Sequence, residues 1–373
     1  MIYYLTNAGN TVTVTRHKGL QGKQPFSPLE QLFTVTPYHH LFELKNILPG
    51  TYLFSDIERL NKSEFRNAKR IWDLLTQNSE SVRSLNCPGR TLTRFDLLKK
   101  LWEEKYNRFN IFRVSDYAAV QNFPVFVRQA NDHAGNTSPL IHTAEDLELF
   151  INQKSSLGLL DEDTVIIEFL DTSENGIHYK YSAYVVGTQI IPRHVLCQSH
   201  WMVKTTDLQD PVAIDQWLAM EEAYLAKNPH EKVLKEIAQL AGVQYGRIDY
   251  GLTEDGAPQV WEINTNPMLF SLETSIVPFR PRVQKEFFRL FVDAMRALDF
   301  APECAGPVLN PYALQVRNRR RINWMLDMCL RPLGLSGKRK EIVRGLQHRL
   351  SQPSKDADRG EFATLSKKAD VNH

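Results

Sequence analysis

Cysteine is scarce in these 373 residues: Cys87, Cys197, Cys304 and Cys329 stand far apart, with no Cys-x-x-Cys pair. That spacing argues against a disulfide scaffold and against a structural zinc site. No apolar run approaches the ~20 residues of a membrane helix. The opening Met1-Ile-Tyr-Tyr-Leu-Thr-Asn-Ala-Gly-Asn10 lacks the basic flank and long apolar stretch of a secretory signal. A cytoplasmic location, with no membrane partner, is the default expectation. Internal repeats, heptads and low-complexity tracts are missing. So are a Gly-x-Gly-x-x-Gly fingerprint, a Gly-x-Ser-x-Gly nucleophile turn and a P-loop; Gly334-Leu-Ser-Gly-Lys338 lacks the P-loop spacing and its following Ser/Thr. Charge of one sign is lacking too, since 45 Lys+Arg against 43 Asp+Glu leave +2. Nothing in that balance demands a nucleic acid or an anionic surface as partner.

The balance is uneven along the chain. Between Arg317 and Arg349 ten Lys/Arg face two acids, a net of +8, and the residues before this segment carry −6. Ile322, Trp324, Met325, Met328 and Leu335 are interleaved with those charges. An amphipathic element docked on the acidic body is therefore expected, rather than a nucleic-acid arm.

Strand and helix signals alternate over the first part of the chain. Residues 2–5, Thr11-Val-Thr-Val-Thr15 and Thr51-Tyr-Leu-Phe-Ser55 read as strands. Asp56 to Leu75 reads as a helix, with Ile57, Leu60, Phe65, Ala68, Ile71, Trp72 and Leu75 near helical spacing and Ser55 or Asp56 as its cap. An α/β fold follows. Further on, the spacing predicts helices from Thr93, over Thr143 to Gln153, over Glu231 to Leu240 and over Val283 to Leu298. Strands are predicted at Phe109 to Val114, Phe123 to Arg128, Thr164 to Leu170 and Tyr181 to Ile191.

The most informative stretch runs from Tyr245 to Pro267. Asp255-Gly256 is a strong two-residue hairpin signal. With that turn, Asp249 lies opposite Glu262 and Arg247 opposite Asn264. Period-two alternation then puts these four on one face and Ile248, Tyr250, Trp261 and Ile263 on the other. Two opposed carboxylates repel unless a cation lies between them. Two carboxylates and an amide oxygen suit a hard ion such as Mg²⁺, and Arg247 adds a group directed at anions.

Arg-x-Asp, a short turn and Glu-x-Asn-x-Asn-Pro resemble the metal-binding end of the ATP-grasp superfamily, in particular D-alanine–D-alanine ligase, glutathione synthetase and the ribosomal-protein glutamate ligases. The resemblance covers roughly Leu92 to Leu298. It implies an α/β (α+β) ATP-grasp fold: an N-terminal pre-ATP-grasp domain over 1–90, a linker helix and first subdomain over 91–171, a second subdomain with the metal site over 172–300, and a basic C-terminal segment over 301–373. It also implies ATP and Mg²⁺ as cofactors, with Mn²⁺ an admissible substitute. By position, Asp249, Glu262 and Asn264 match the metal ligands, and Arg247 matches the arginine facing the transferred phosphoryl group. Arg128 ends the strand that in the family usually ends in a phosphate-binding lysine. Asn131-Asp-His-Ala-Gly-Asn136 resembles the lid over the phosphates. Glu168, Phe169 and Leu170 match the hinge that lines adenine, and Asp171 is the candidate for the ribose hydroxyls. Arg193 and Lys204 match basic positions that touch phosphate or the incoming carboxylate.

Plainer readings stand beside these. Arg128 at a strand end can be a surface charge, Glu168 a satisfied core acid, and His133 an ordinary loop histidine. The resemblance implies a ligase that activates a carboxylate with ATP and passes the acyl phosphate to an amine, acting on small-molecule or peptide substrates, with no role for nucleic acid. The rival is an ATP-binding regulatory or scaffold protein without turnover.

Overall fold

A computed structural model describes residues 1–10, 32–131, 137–204, 206, 208, 210–267, 280–300, 302, 305–313 and 315–317. The first part comprises β1 (Ile2–Thr6), β2 (Phe33–Pro37), α1 (Tyr38–Glu43), β3 (Asn46–Ile47), β4 (Gly50–Phe54), α2 (Lys62–Thr76) and β5 (Val82–Leu85). Its sheet is parallel, in the order β2-β1-β4-β5. Both faces are covered, which is why every residue of β4 is buried. The strand expected at Thr11 to Thr15 lies outside the described residues.

The helix expected from Asp56 starts later. Asn61 caps α2, accepting from the N–H groups of Ser63 and Glu64, while Glu64 accepts from the Asn61 N–H at 3.1 Å. This capping box outcompetes Ser55 and Asp56. Asp56 is instead turned inward at φ 57°, where its carboxylate accepts from the Thr6 hydroxyl and the Asn7 N–H. Burial, with the nearby Glu58 charge, raises its pKa.

Helix α3 (Arg94–Glu103) leads to β6 (Ile111–Arg113), β7 (Val125–Gln129), α4 (Ala144–Ser156) and β8 (Thr164–Glu168). The three strands form an antiparallel sheet in the order β6-β8-β7, and Leu147 and Ile151 of α4 pack with Val125, Val127 and Ile166. As expected, Thr143 caps α4, accepting from the Asp146 N–H.

The largest sheet is antiparallel. It is built from β9 (Ser173–Glu174), β10 (Ile177–Val186), β11 (Gln189–Gln198), β12 (Tyr245–Leu252) and β13 (Pro258–Asn264), in the order β11-β10-β12-β13 with β9 on β10. The single strand expected from Tyr181 to Ile191 is two strands. Gly187, at φ 64°, turns the chain back together with the exposed Thr188, so that Val186 and Gln189 face each other across the turn. Helices α5 (Pro211–Lys227), which the sequence reading missed, and α6 (Glu231–Leu240) follow β11. α7 (Arg280–Leu298) places Phe287, Phe288 and Phe291 in a core shared with Tyr184 and Ile191 of this sheet and Tyr4 and Leu53 of the parallel sheet. Finally, β14 (Val308–Leu309) pairs with β3.

Asn86 joins the parallel sheet to the start of β12. Fully buried at φ 62°, it accepts from the N–H groups of Gln244 and Tyr245 and donates to the Tyr245 carbonyl at 2.8 Å. Asn86→Ala takes the side-chain partner from three backbone groups, two of them on buried Tyr245, and is expected to destabilise the fold by about 2 kcal/mol or more. Urea unfolding checks this; a loss below about 1 kcal/mol would show that water replaces those bonds.

Met1–Asn310 form one compact unit and Pro311–His373 another. The basic segment expected to dock on the acidic body lies, from residue 318 onward, outside the described residues. No helix among the described residues is long and apolar enough to cross a membrane.

Candidate active site

The hairpin of β12 and β13 brings together the four residues singled out from its sequence. Arg247 pairs with Asn264 and Asp249 with Glu262, so all four share one face. The route to that register differs from the expected one. The loop is Thr253 to Ala257 rather than a tight Asp255-Gly256 turn, and near it Tyr250 pairs with Val260. A bulge then makes Trp261 an extra residue, which restores the expected pairing at Glu262. Trp261 stays packed against the apolar cluster that holds Ile248, Tyr250 and Val260. A Cβ on Gly251 would lie 2.7 Å from the Trp261 ring, so the ring covers the face that Gly251 shares with Asp249.

Neighbouring strands extend this face. Ser182 pairs with Asp249 and Tyr184 with Arg247. Ser182 donates to Asp249 Oδ1 at 2.9 Å, and Lys180 Nζ stands 3.8 Å from Oδ2. Arg247 grips the Asp249 carboxylate with two bonds, Nε to Oδ1 at 2.7 Å and Nη2 to Oδ2 at 2.9 Å. Burial works against the Arg247 charge, yet Asp249 and Glu262 hold its pKa above the ordinary arginine value. Burial pushes the Tyr184 phenol up, and the charges of Arg247 and Arg193 pull it part of the way back.

Arg193 reaches this face through a second bulge. Ser182 pairs with His194 but Ala183 with Pro192, leaving Arg193 as the extra residue of β11. Pro192 has no N–H to give to a ladder and sits where an edge strand tolerates it. Helix α5 pins Val195, two residues after Arg193: its N–H donates to Glu221 at 3.1 Å and its carbonyl accepts from Trp217 at 2.8 Å. The buried Arg193 guanidinium lies over the Phe287 and Phe288 rings, 4.4 and 5.3 Å from their centroids.

The other expected site residues stand on the smaller sheet and the loops after it. Arg128 is half-buried on β7, opposite Val165. Glu168 ends β8 as a buried acid whose carboxylate accepts from the Asn110 N–H at 2.8 Å and the Asn122 side chain at 2.9 Å. Those bonds match the plainer core-acid reading of its side chain. The chain then leaves the sheet: Phe169 and Leu170 are half-buried and Asp171 is exposed, with His178 3.8 Å from its carboxylate. Lys204 is exposed, and its N–H donates to Gln198 at 2.9 Å. Trp201, three residues before it, packs against Phe126 and Phe169, with centroids 5.1 and 5.5 Å apart. Of the lid, 132–136 lie outside the described residues.

Arg94 is a residue the sequence reading missed. It opens α3, its side chain is 7% exposed, and its Nη2 bonds Glu262 Oε2. Its only sequence signal is an arginine just after the Thr93 cap, which reads as a helix-start residue.

The donor set fits a hard divalent cation: two opposed carboxylates and the Asn264 amide oxygen, which accepts from the Asn266 N–H at 2.8 Å and keeps a second lone pair. Among the described residues no three His, Cys, Asp or Glu cluster together for a metal.

No protein-family model matches the chain, and no curated protein matches it. Solved structures similar to it include the ATP-grasp ligase PsnB complexed with a phosphomimetic variant of its minimal precursor, Mg and ADP. That likeness has 14% identity and a TM-score of 0.44, over 79% of this chain and 96% of that one. An ATP-grasp RimK domain protein from Sphaerobacter thermophilus is similar at 11% identity and a TM-score of 0.40, over 79% and 99%. D-cycloserine synthetase DcsG is similar at 12% identity and 0.38, over 79% and 100%. The chain itself is α/β, with a parallel sheet beside antiparallel ones.

Proposed function

We propose that this chain is an ATP-dependent carboxylate–amine ligase of the ATP-grasp type, forming an amide or peptide bond through an acyl phosphate. The observation that carries this reading is the register of β12 on β13, which sets Arg247, Asp249, Glu262 and Asn264 on one polar face. Mg²⁺, held by Asp249, Glu262 and Asn264, would offset the charge of the ATP phosphates. In this reading residues 91–171 and 172–300 clamp the nucleotide. Phe169 and Leu170, after Glu168, line the base and Asp171 faces the ribose.

A carboxylate oxygen of the substrate attacks the γ-phosphorus and ADP leaves, with Arg128, Arg193 and Lys204 binding the phosphoryl oxygens. The amine then attacks the acyl carbon, and inorganic phosphate leaves with the electron pair of the broken bond. Arg247 donates to the oxyanion of the tetrahedral intermediate, where charge develops that the ground state lacks. No side-chain nucleophile is required. The rival reading, an ATP-binding protein without turnover, gives Arg247 no developing charge to act on.

A screen of carboxylate and amine pairs for ADP release, with mass spectrometry of the product, is expected to find a pair that gives ADP, phosphate and a condensed product in equal amounts. ATP binding without ADP release for every pair would favour the rival.

A further inference from the structure

Each carboxylate of the opposed pair is matched by an arginine. Asp249 holds the fork of Arg247, and Glu262 holds Nη2 of Arg94. The arginines have separate origins: Arg247 is two positions from Asp249 on one strand, whereas Arg94 comes from α3, 168 positions before Glu262. Arg94 also donates from Nη1 to the Ala130 carbonyl at 2.7 Å, just before the loop that begins at Asn131. Desolvating such pairs consumes most of their Coulombic gain, so fold stability alone is a weak reason for them. With Lys180 3.8 Å from Asp249, three cationic side chains adjoin two carboxylates.

We infer that Arg94 and Arg247 serve as built-in counter-cations for Glu262 and Asp249, so that a divalent cation binds poorly alone and enters together with a nucleotide. This rests on the proposed metal site. A bare divalent ion approaching these carboxylates meets guanidinium charges a few ångströms away. A metal–nucleotide complex brings its own negative charge, and its phosphate oxygens take over the N–H groups of Arg94, for which the planar fork is well shaped. Arg94 adds a link that Arg247 does not have, because the side chain that would give up Glu262 also holds the Ala130 carbonyl at the end of β7.

The test is Mn²⁺ binding to the full chain, followed by electron paramagnetic resonance with and without ADP. The wild type is expected to bind Mn²⁺ weakly alone and tightly with ADP. Arg94→Gln removes the charge but keeps an N–H donor for Ala130. It should strengthen Mn²⁺ binding without ADP by about tenfold or more, because one repelling unit charge is gone, and weaken ADP binding in the presence of Mn²⁺. Arg94→Lys keeps the charge and should bind Mn²⁺ alone as weakly as the wild type. Arg94→Met, a second neutral variant of similar length, must repeat the rise. Unchanged or weaker nucleotide-free binding in the neutral variants overturns the counter-cation role, provided Glu262→Gln abolishes Mn²⁺ binding with ADP. If Glu262→Gln leaves that binding intact, the metal site itself falls, and this inference with it.

Discussion

Glu262→Gln is expected to lower ATP-dependent turnover by about a thousandfold or more, the scale seen when charge stabilisation of a transferring phosphoryl group is removed. The substitution keeps the shape and one oxygen of the side chain and removes its negative charge. Glu262 is 22% exposed on its side chain and its partner Arg94 only 7%, so some stability should be lost with it, though less than at the more deeply buried Asp249. Asp249→Asn should lose as much activity but also unfold more easily. Its carboxylate is 2% exposed and holds the Arg247 fork and the Ser182 hydroxyl, and breaking one side of a buried pair costs about 3 kcal/mol or more. Steady-state ADP release and urea unfolding on both variants separate the two effects. Turnover within about tenfold of the wild type in folded Glu262→Gln would remove Glu262 from the metal site.

Arg247→Lys is expected to lower kcat by about a hundredfold or more and to change nucleotide affinity by less than about tenfold. A lysine keeps the charge but presents a point donor where the guanidinium offers a planar fork, and it cannot grip both oxygens of Asp249 as Arg247 does. If the fork acts on charge that appears only in the transition state, the loss falls on kcat. Rapid-quench measurement of product formation beside nucleotide titration gives the two numbers. Equal losses in binding and in rate would make Arg247 a ground-state phosphate ligand.

The hairpin illustrates how local chemistry and tertiary context share the work. Alternation along Tyr245 to Asn264 was enough to group Arg247, Asp249, Glu262 and Asn264, because side-chain direction along a strand has a fixed period. Asp255-Gly256 reads as a two-residue turn where the loop runs from Thr253 to Ala257 and shifts the pairing by one residue, and the bulge at Trp261 is invisible in the sequence. The two departures cancel at Glu262 and do not cancel at Trp261, whose ring now covers Gly251. A bulge depends on what packs against the strand, and no residue within the strand announces it. The same holds for Arg193, which reaches the site face only because Pro192 breaks the ladder and α5 fastens Val195.

Asn61 marks a second boundary. Its capping box was present in the sequence as Asn61 and Glu64, yet the apolar spacing from Ile57 drew the helix start earlier. Asp56 was available as a cap until the parallel sheet claimed its carboxylate for Thr6 and Asn7. Glu168 likewise could be placed on a buried strand from its neighbours, but only the fold supplied the Asn110 and Asn122 donors that satisfy it.

By itself, then, the sequence determined the alternation of strand and helix, the polar face of the β12–β13 hairpin and the kind of ion its oxygens suit. These follow from periodicity and side-chain chemistry, which act within about 20 residues. Only the tertiary structure decided the partner of each charge. Glu262 meets Arg94 across 168 positions of chain, and Tyr4 of the first strand bonds Asn266 across 262. Such pairings are set by how the sheets and helices pack together, and no local pattern encodes a contact between segments that meet only once the core has closed.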